Sequence, residues 1–166
     1  MSAQTKTDLL DETERLRGEG SPEEARERLL ALTAQYPDDA EVAYRTAVIH
    51  DVLGLEAEAV PYYERCLAKP ELGSRNRRGA LLGLGSTYRV LGRYGQAVET
   101  LRRGVEEFPE DGALRTFLSM ALYNTGEHHE AMRLLLELTA STSEDPYVRE
   151  YRRAIEQYAK DLHETV

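Results

Sequence analysis

Three groupings in this sequence hold residue types that could do chemistry. His50 and Asp51 are neighbours, and Cys66 lies further along. An imidazole, a carboxylate and a thiol are the parts of an activated nucleophile. His128 and His129 stand between Glu127 and Glu130, all four of them metal-ligating types. The run LLGLGSTY, residues 81–88, carries two closely spaced glycines, as phosphate-cradling loops do. Each grouping must be tested against the element that would carry it.

None of the three passes that test. Adjacent residues on a helix point about 100° apart, so His128 and His129 chelate poorly and read as solvated surface at a helix entry. The glycine run lies in a helical pattern, with no strand before it and no P-loop lysine after it. Gly83 and Gly85 are expected where helices cross. No Glu-x-x-His pair suggests a metal site. His50 and Cys66 fall on packing positions of a helical repeat, and Asp51 is one residue off that face, toward solvent or a groove. The expectation is no catalytic residue, no metal ligand and no cofactor.

The elements follow a long period. Gly20, Gly54, Gly92 and Gly126 are spaced by 34, 38 and 34 residues. Ala25, Ala59, Ala97 and Ala131 follow them at the same offset, and Pro37, Pro70 and Pro109 join the series. A glycine suits a chain reversal through left-handed backbone. An alanine suits a close crossing of two helices, and a proline ends a helix because it breaks the hydrogen-bond ladder. A period near 34 with two helical patterns per unit marks a solenoid of helical hairpins.

Residues 78–111 match most fully. Leu81, Leu84, Gly85, Tyr88, Ala97, Leu101 and Pro109 fall on the template W-x2-L-G-x2-Y…A-x3-F…P, with Leu in place of Trp and Phe. Here the chain resembles the tetratricopeptide-repeat superfamily. The run from Ala47 to Leu138 is similar to a small bacterial tetratricopeptide family of unassigned activity. The resemblance implies an all-α, right-handed α-α superhelix of four hairpins, near 6–39, 40–73, 78–111 and 112–145, in one domain over 1–166. The first hairpin is degenerate, since Glu12 and Thr13 replace the usual Leu-Gly pair. Pro61 should make its helix start late or kink. The extra residues at 72–76 should lengthen a loop or the next helix. Val148, Tyr151, Ile155, Tyr158 and Leu162 recur at helical steps, giving a ninth, capping helix over about 146–163.

In such a superhelix the first helix of each hairpin lines an inner groove. The repeat register places Tyr44, Arg45, Val48 and Asp51 there, then Leu82, Ser86 and Arg89, then Phe117, Met120, Tyr123 and Asn124. Aromatic, Met and Arg side chains are enriched in interface cores. For Phe117 and Met120, packing against the capping helix is the equal alternative. Seven arginines and one acid lie between Arg75 and Arg103, in a chain of net charge −9. Arg45, Arg78 and Arg89 could draw in an acidic peptide or a terminal carboxylate. A solvated basic belt balanced by neighbouring acids is the plainer reading. The carboxylate clamp of chaperone-binding tetratricopeptide domains is not reproduced: Leu10, Glu14, Arg45, Gly79 and Gly83 occupy its positions.

The acidic balance argues against nucleic acid and anionic lipid as partners. One cysteine and no long apolar run suggest a reducing, cytoplasmic setting. The expected function is capture of a peptide or protein segment in the groove. The alternatives are a self-associating homodimeric scaffold, from the acidic first repeat, the basic third and the tyrosine-rich last helix, or a secretion-type chaperone.

Overall fold

The computed structural model describes residues 5–163, and these are helical with no strand among them. Four pairs come first: α1 (Lys6–Gly18) with α2 (Pro22–Gln35), α3 (Ala40–Val52) with α4 (Glu56–Leu67), α5 (Ser74–Val90) with α6 (Tyr94–Glu107), and α7 (Gly112–Thr125) with α8 (His128–Thr142). Two short helices follow, α9 (Pro146–Glu150) and α10 (Arg152–Tyr158). Each helix packs on its neighbour in sequence up to α8. The first helices α1, α3, α5 and α7 also touch in succession, forming one row. The result is a helical solenoid.

The four glycines make the hairpins. Gly20, Gly54, Gly92 and Gly126 have φ of 83°, 69°, 73° and 87°, the left-handed region that costs glycine least. The next residue then turns its N–H back to a carbonyl five positions earlier: Ser21 to Leu16, Leu55 to His50, Arg93 to Tyr88 and Glu127 to Leu122, all at 2.8–2.9 Å. This is the same helix-stop geometry four times, and the degenerate first hairpin closes like the others. The alanines do what their size implies: Ala25, Ala59, Ala97 and Ala131 are all buried where second helices cross first ones.

Aspartates start two of the first helices, α3 and α7. The Asp39 carboxylate accepts from the Glu41 and Val42 amides, and Asp111 accepts from Ala113 and Leu114, at 2.8–3.0 Å. Each cap is also clamped by a cation from the preceding first helix, Lys6 on Asp39 and Arg78 on Asp111. The capping residue thus ties one repeat to the next.

The core divides in two. Leu10, Leu16, Ala25, Leu29, Leu32, Val42 and Ile49 form an N-terminal cluster. A larger cluster runs from Ala40 to Ala131 through Leu81, Leu101 and Leu122. Helix α3 supplies residues to both. On its buried side Thr46 meets Thr33 at 3.0 Å, and Arg26 donates to His50 at 3.1 Å.

Two open alternatives are narrowed and one expectation is corrected. Helix α4 does not start late. It begins at Glu56, and Pro61 sits on its exposed side, where the unbonded carbonyl one turn back can meet water. The residues in excess before the third repeat belong to α5, which opens at Ser74 and runs for 17 residues. The last helix is not one element to about 163. The backbone shifts at Tyr151 (φ −96°, ψ 10°), dividing it into two helices, and the second ends at Tyr158. Its apolar stripe is largely uncovered, for Tyr147, Tyr151, Tyr158 and Leu162 are exposed while Val148 and Ile155 are half-buried.

Candidate functional site

The residues with chemical potential are mostly absorbed by packing. His50 is buried; its Nδ1 lies 2.6 Å from the Thr46 carbonyl, its Nε2 accepts from Arg26, and its ring stacks on Tyr62. The Cys66 thiol donates to the Tyr63 carbonyl at 3.1 Å, and burial pushes it up to about 12. Imidazole and thiol therefore have separate partners. Asp51 was expected toward solvent or the groove, and instead it links repeats. It accepts from Tyr63 at 2.7 Å, and the Thr87 hydroxyl lies 2.9 Å from its other oxygen. Burial raises its carboxyl above the usual range against the lowering effect of those bonds. Desolvation first, and then the same half-buried carboxylate, push the Tyr63 phenol far up. His128 and His129 are exposed; the first rests on Tyr123 and the second on His163. Among the described residues no His, Cys, Asp and Glu group is arranged to hold a metal.

Gly79, Gly83 and Gly85 report close crossings. A Cβ on Gly79 would strike the Tyr44 ring, one on Gly83 the Tyr63 ring, and one on Gly85 the Leu101 side chain. Glycine lets α5 seat against α3, α4 and α6.

Two clefts lie along the row of first helices and hold most of the expected residues. Tyr44, Arg45 and Val48 line one of about 330 Å³ together with Glu14, Arg17, Arg75 and Asn76. Arg89, Met120, Tyr123 and Asn124 line the other, of about 500 Å³, with Ser119, His128, Ala131, Met132 and Leu135. Leu82 and Phe117 lie half-buried against the core between them, and Ser86 is half-buried on the same row.

The charges of the two clefts differ. Arg45 is held by Glu14 at 3.0 Å and Glu41 at 3.3 Å and Arg17 also pairs with Glu14, while Arg75 on the same cleft is in no ion pair among the described residues. Arg78 is spent on Asp111. Arg89 has no carboxylate partner among the described residues. It reaches only the Asn124 amide oxygen, at 3.5 Å, and its Nε is buried without a hydrogen-bond partner. The second cleft therefore joins one uncompensated cation to an apolar wall. That wall is open: Met120 is 40% exposed, Tyr123 66%, Met132 48% and Leu135 37%.

Met132 and Leu135 are the residues that the groove register omits, because they lie on the second helix of the last hairpin. A comparison along the repeat finds them. Leu135 corresponds to Leu29, Tyr63 and Leu101, which are 3%, 2% and 0% exposed because a following repeat covers each. Among the described residues α8 is followed by the short helices α9 and α10, which leave this wall open. A third cleft, of about 690 Å³, opens on the second-helix side between α4, α5 and α6; Leu67, Leu81 and Leu84 line it, under Glu64, Glu99 and Arg102.

The comparisons with known proteins agree with this architecture. The family model described as tetratrico peptide repeat matches residues 40–162. The chain belongs to that family. No curated protein matches it. Among solved structures, MamA (residues 41 to the end) from Desulfovibrio magneticus RS-1 superposes with a TM-score of 0.70 at 21% identity, over 96% of this chain and 92% of that one. Cut9, in the hetero-tetramer of Cut9 and Hcn1 from the APC/C, gives 0.74 at 18% identity, over 93% of this chain and 30% of that one. A tetratricopeptide repeat protein from Parabacteroides merdae ATCC 43184 gives 0.61 at 18% identity, over 98% and 67%. At these identities the likeness is one of fold. Within this tetratrico peptide repeat chain, no described helix is long and apolar enough to cross a membrane.

Proposed function

We propose that the protein is a protein–protein interaction module whose docking site is the cleft of α7 and α8, closed on one side by Arg89. Repeat arrays of this kind present extended surfaces to partners rather than reaction centres. The observation that carries the proposal is the uncompensated Arg89 beside exposed Met120 and Tyr123. A cation with no internal partner favours a segment bearing a carboxylate. A methionine-lined wall accepts bulky apolar side chains and adapts to their shape. The partner segment is therefore apolar and carries at least one acid. The cleft of Tyr44, Arg45 and Val48 extends the same row, but Arg17 and Arg45 are paired with Glu14 and Glu41 there and it offers no exposed apolar wall, so it contributes a secondary contact.

The test is capture from native lysate with wild type and with Arg89→Glu combined with Tyr123→Ser. Tyr123 is exposed and Arg89 holds no ion pair, so the folded state should be unchanged by circular dichroism. Loss of the captured chain is expected. Undiminished capture by the folded double variant would remove the cleft as the site.

A further inference from the structure

The α7–α8 wall has the composition of an interior surface at the end of the array. Terminal repeats of a solenoid ordinarily carry a polar outer face. Here the last hairpin keeps Met132 and Leu135 at register positions where the second hairpin buries Val60 and Tyr63. Inside the chain, what covers such a wall is a helix: α3 covers the first hairpin, α5 the second and α7 the third. The last wall is thus shaped for one more helix.

The chain also carries a helical segment whose apolar side has no cover. Tyr147, Tyr151 and Tyr158 form a run of aromatic side chains along α9, the break at Tyr151 and α10, and are 73%, 60% and 65% exposed. Glu150 flanks that run, exposed and in no ion pair among the described residues. Helix α10 packs against α8 by another side, burying Ala159 and leaving the tyrosines outward. The two surfaces complement each other: an apolar wall with an unpaired arginine, and an aromatic run with an unpaired carboxylate.

Resting on the docking site proposed above, we infer that its occupant is a second copy of this chain, which inserts the tyrosine run of α9–α10 against Met120, Tyr123, Met132 and Leu135 and brings Glu150 to Arg89. Both surfaces lie at the same end of the molecule, so the contact is reciprocal and closes as a two-fold pair. The charge balance favours this end. Residues 112–163 hold eight acids and six bases, a net −2 out of the chain's −9, so two such ends approach with little repulsion. The opposite end offers the charged outer residues Asp8, Asp11, Glu12 and Arg15, which excludes an open head-to-tail chain built on apolar contact.

The test is sedimentation equilibrium of the full chain between about 1 µM and 1 mM, where a pair of this kind should assemble. Wild type is expected to approach twice the monomer mass. Leu135→Glu, and separately Tyr151→Ser with Tyr158→Ser, should each raise the dissociation constant at least about tenfold. The tyrosines are exposed, so the second variant decides the matter if the first fails to fold. Wild type that stays monomeric throughout, or a dimer that neither variant weakens, overturns the inference. A monomer whose cleft takes an apolar, acid-bearing segment of another protein also overturns it, while leaving the docking site itself standing.

Discussion

Cys66 shows how a suggestive residue becomes a structural one. Its sulfur is buried, it donates to the Tyr63 carbonyl, and desolvation first of all pushes the thiol up to about 12. The thiolate is the reactive form, and a free cysteine near 8.5 is substantially ionised at pH 8. Native Cys66 should therefore react with a thiol reagent at pH 8 at least about a thousandfold more slowly than in the unfolded chain. Rapid stoichiometric labelling of the folded protein would contradict its placement. At this scale the sequence was read well where backbone or volume decides. Gly20 and Ala25 have few physical alternatives at their positions. It was read poorly where a long side chain chooses its partner. Arg45, Arg78 and Arg89 look alike along the chain, yet Glu14 and Asp111 take the first two from 31 and 33 residues away. Which of them stays free depends on the stacking of repeats, which no local pattern expresses.

At the scale of elements, α3 and α7 depend on capping aspartates that also bind the preceding repeat. Asp111 accepts two backbone amides and the Arg78 guanidinium. Chiefly through Arg78, and against burial, its carboxyl is held below the usual range. Asp111→Ala should cost about 1 to 2 kcal/mol of stability near neutral pH, measured by denaturant unfolding. The pH dependence has a definite sign. A depressed carboxyl contributes stability above its unfolded value and loses it as pH falls through its folded value. The gap between wild type and variant should therefore narrow in acid. A gap that stays constant or widens on acidification would contradict the assigned cap and clamp. The helix pairs themselves were legible because glycine, alanine and proline recur at fixed offsets. The division of the last helix at Tyr151 was not. Val148 to Leu162 has the period of one amphipathic helix, and the departure is a small shift of backbone angles at a residue with ordinary helix-forming neighbours.

For the whole molecule, the decisive feature is an imbalance between its ends. The N-terminal hairpin closes off the array with charged side chains, whereas the C-terminal hairpin ends on an open apolar wall next to an unpaired arginine. The fold class and the repeat count follow from spacing alone, and the solenoid confirms an all-helical array. The proposed cleft is only half legible. Arg89, Met120, Tyr123 and Asn124 come from one row of first helices, and the repeat register places them together. Met132 and Leu135 come from α8, and only their loss of cover sets them apart from Leu101 or Tyr63 at equivalent positions. Along the row from Tyr44 to Asn124, Leu82 and Phe117 are half-buried against the core between the two clefts.

The central claim is that the α7–α8 wall is where a polypeptide docks. It is tested most directly by a photo-reactive phenylalanine analogue placed in turn at Tyr123, inside the cleft, and at Glu27, exposed on α2. Irradiation in native lysate should give a covalent protein adduct from position 123 and none from position 27. No adduct at 123, or the same adducts from both positions, would contradict the account.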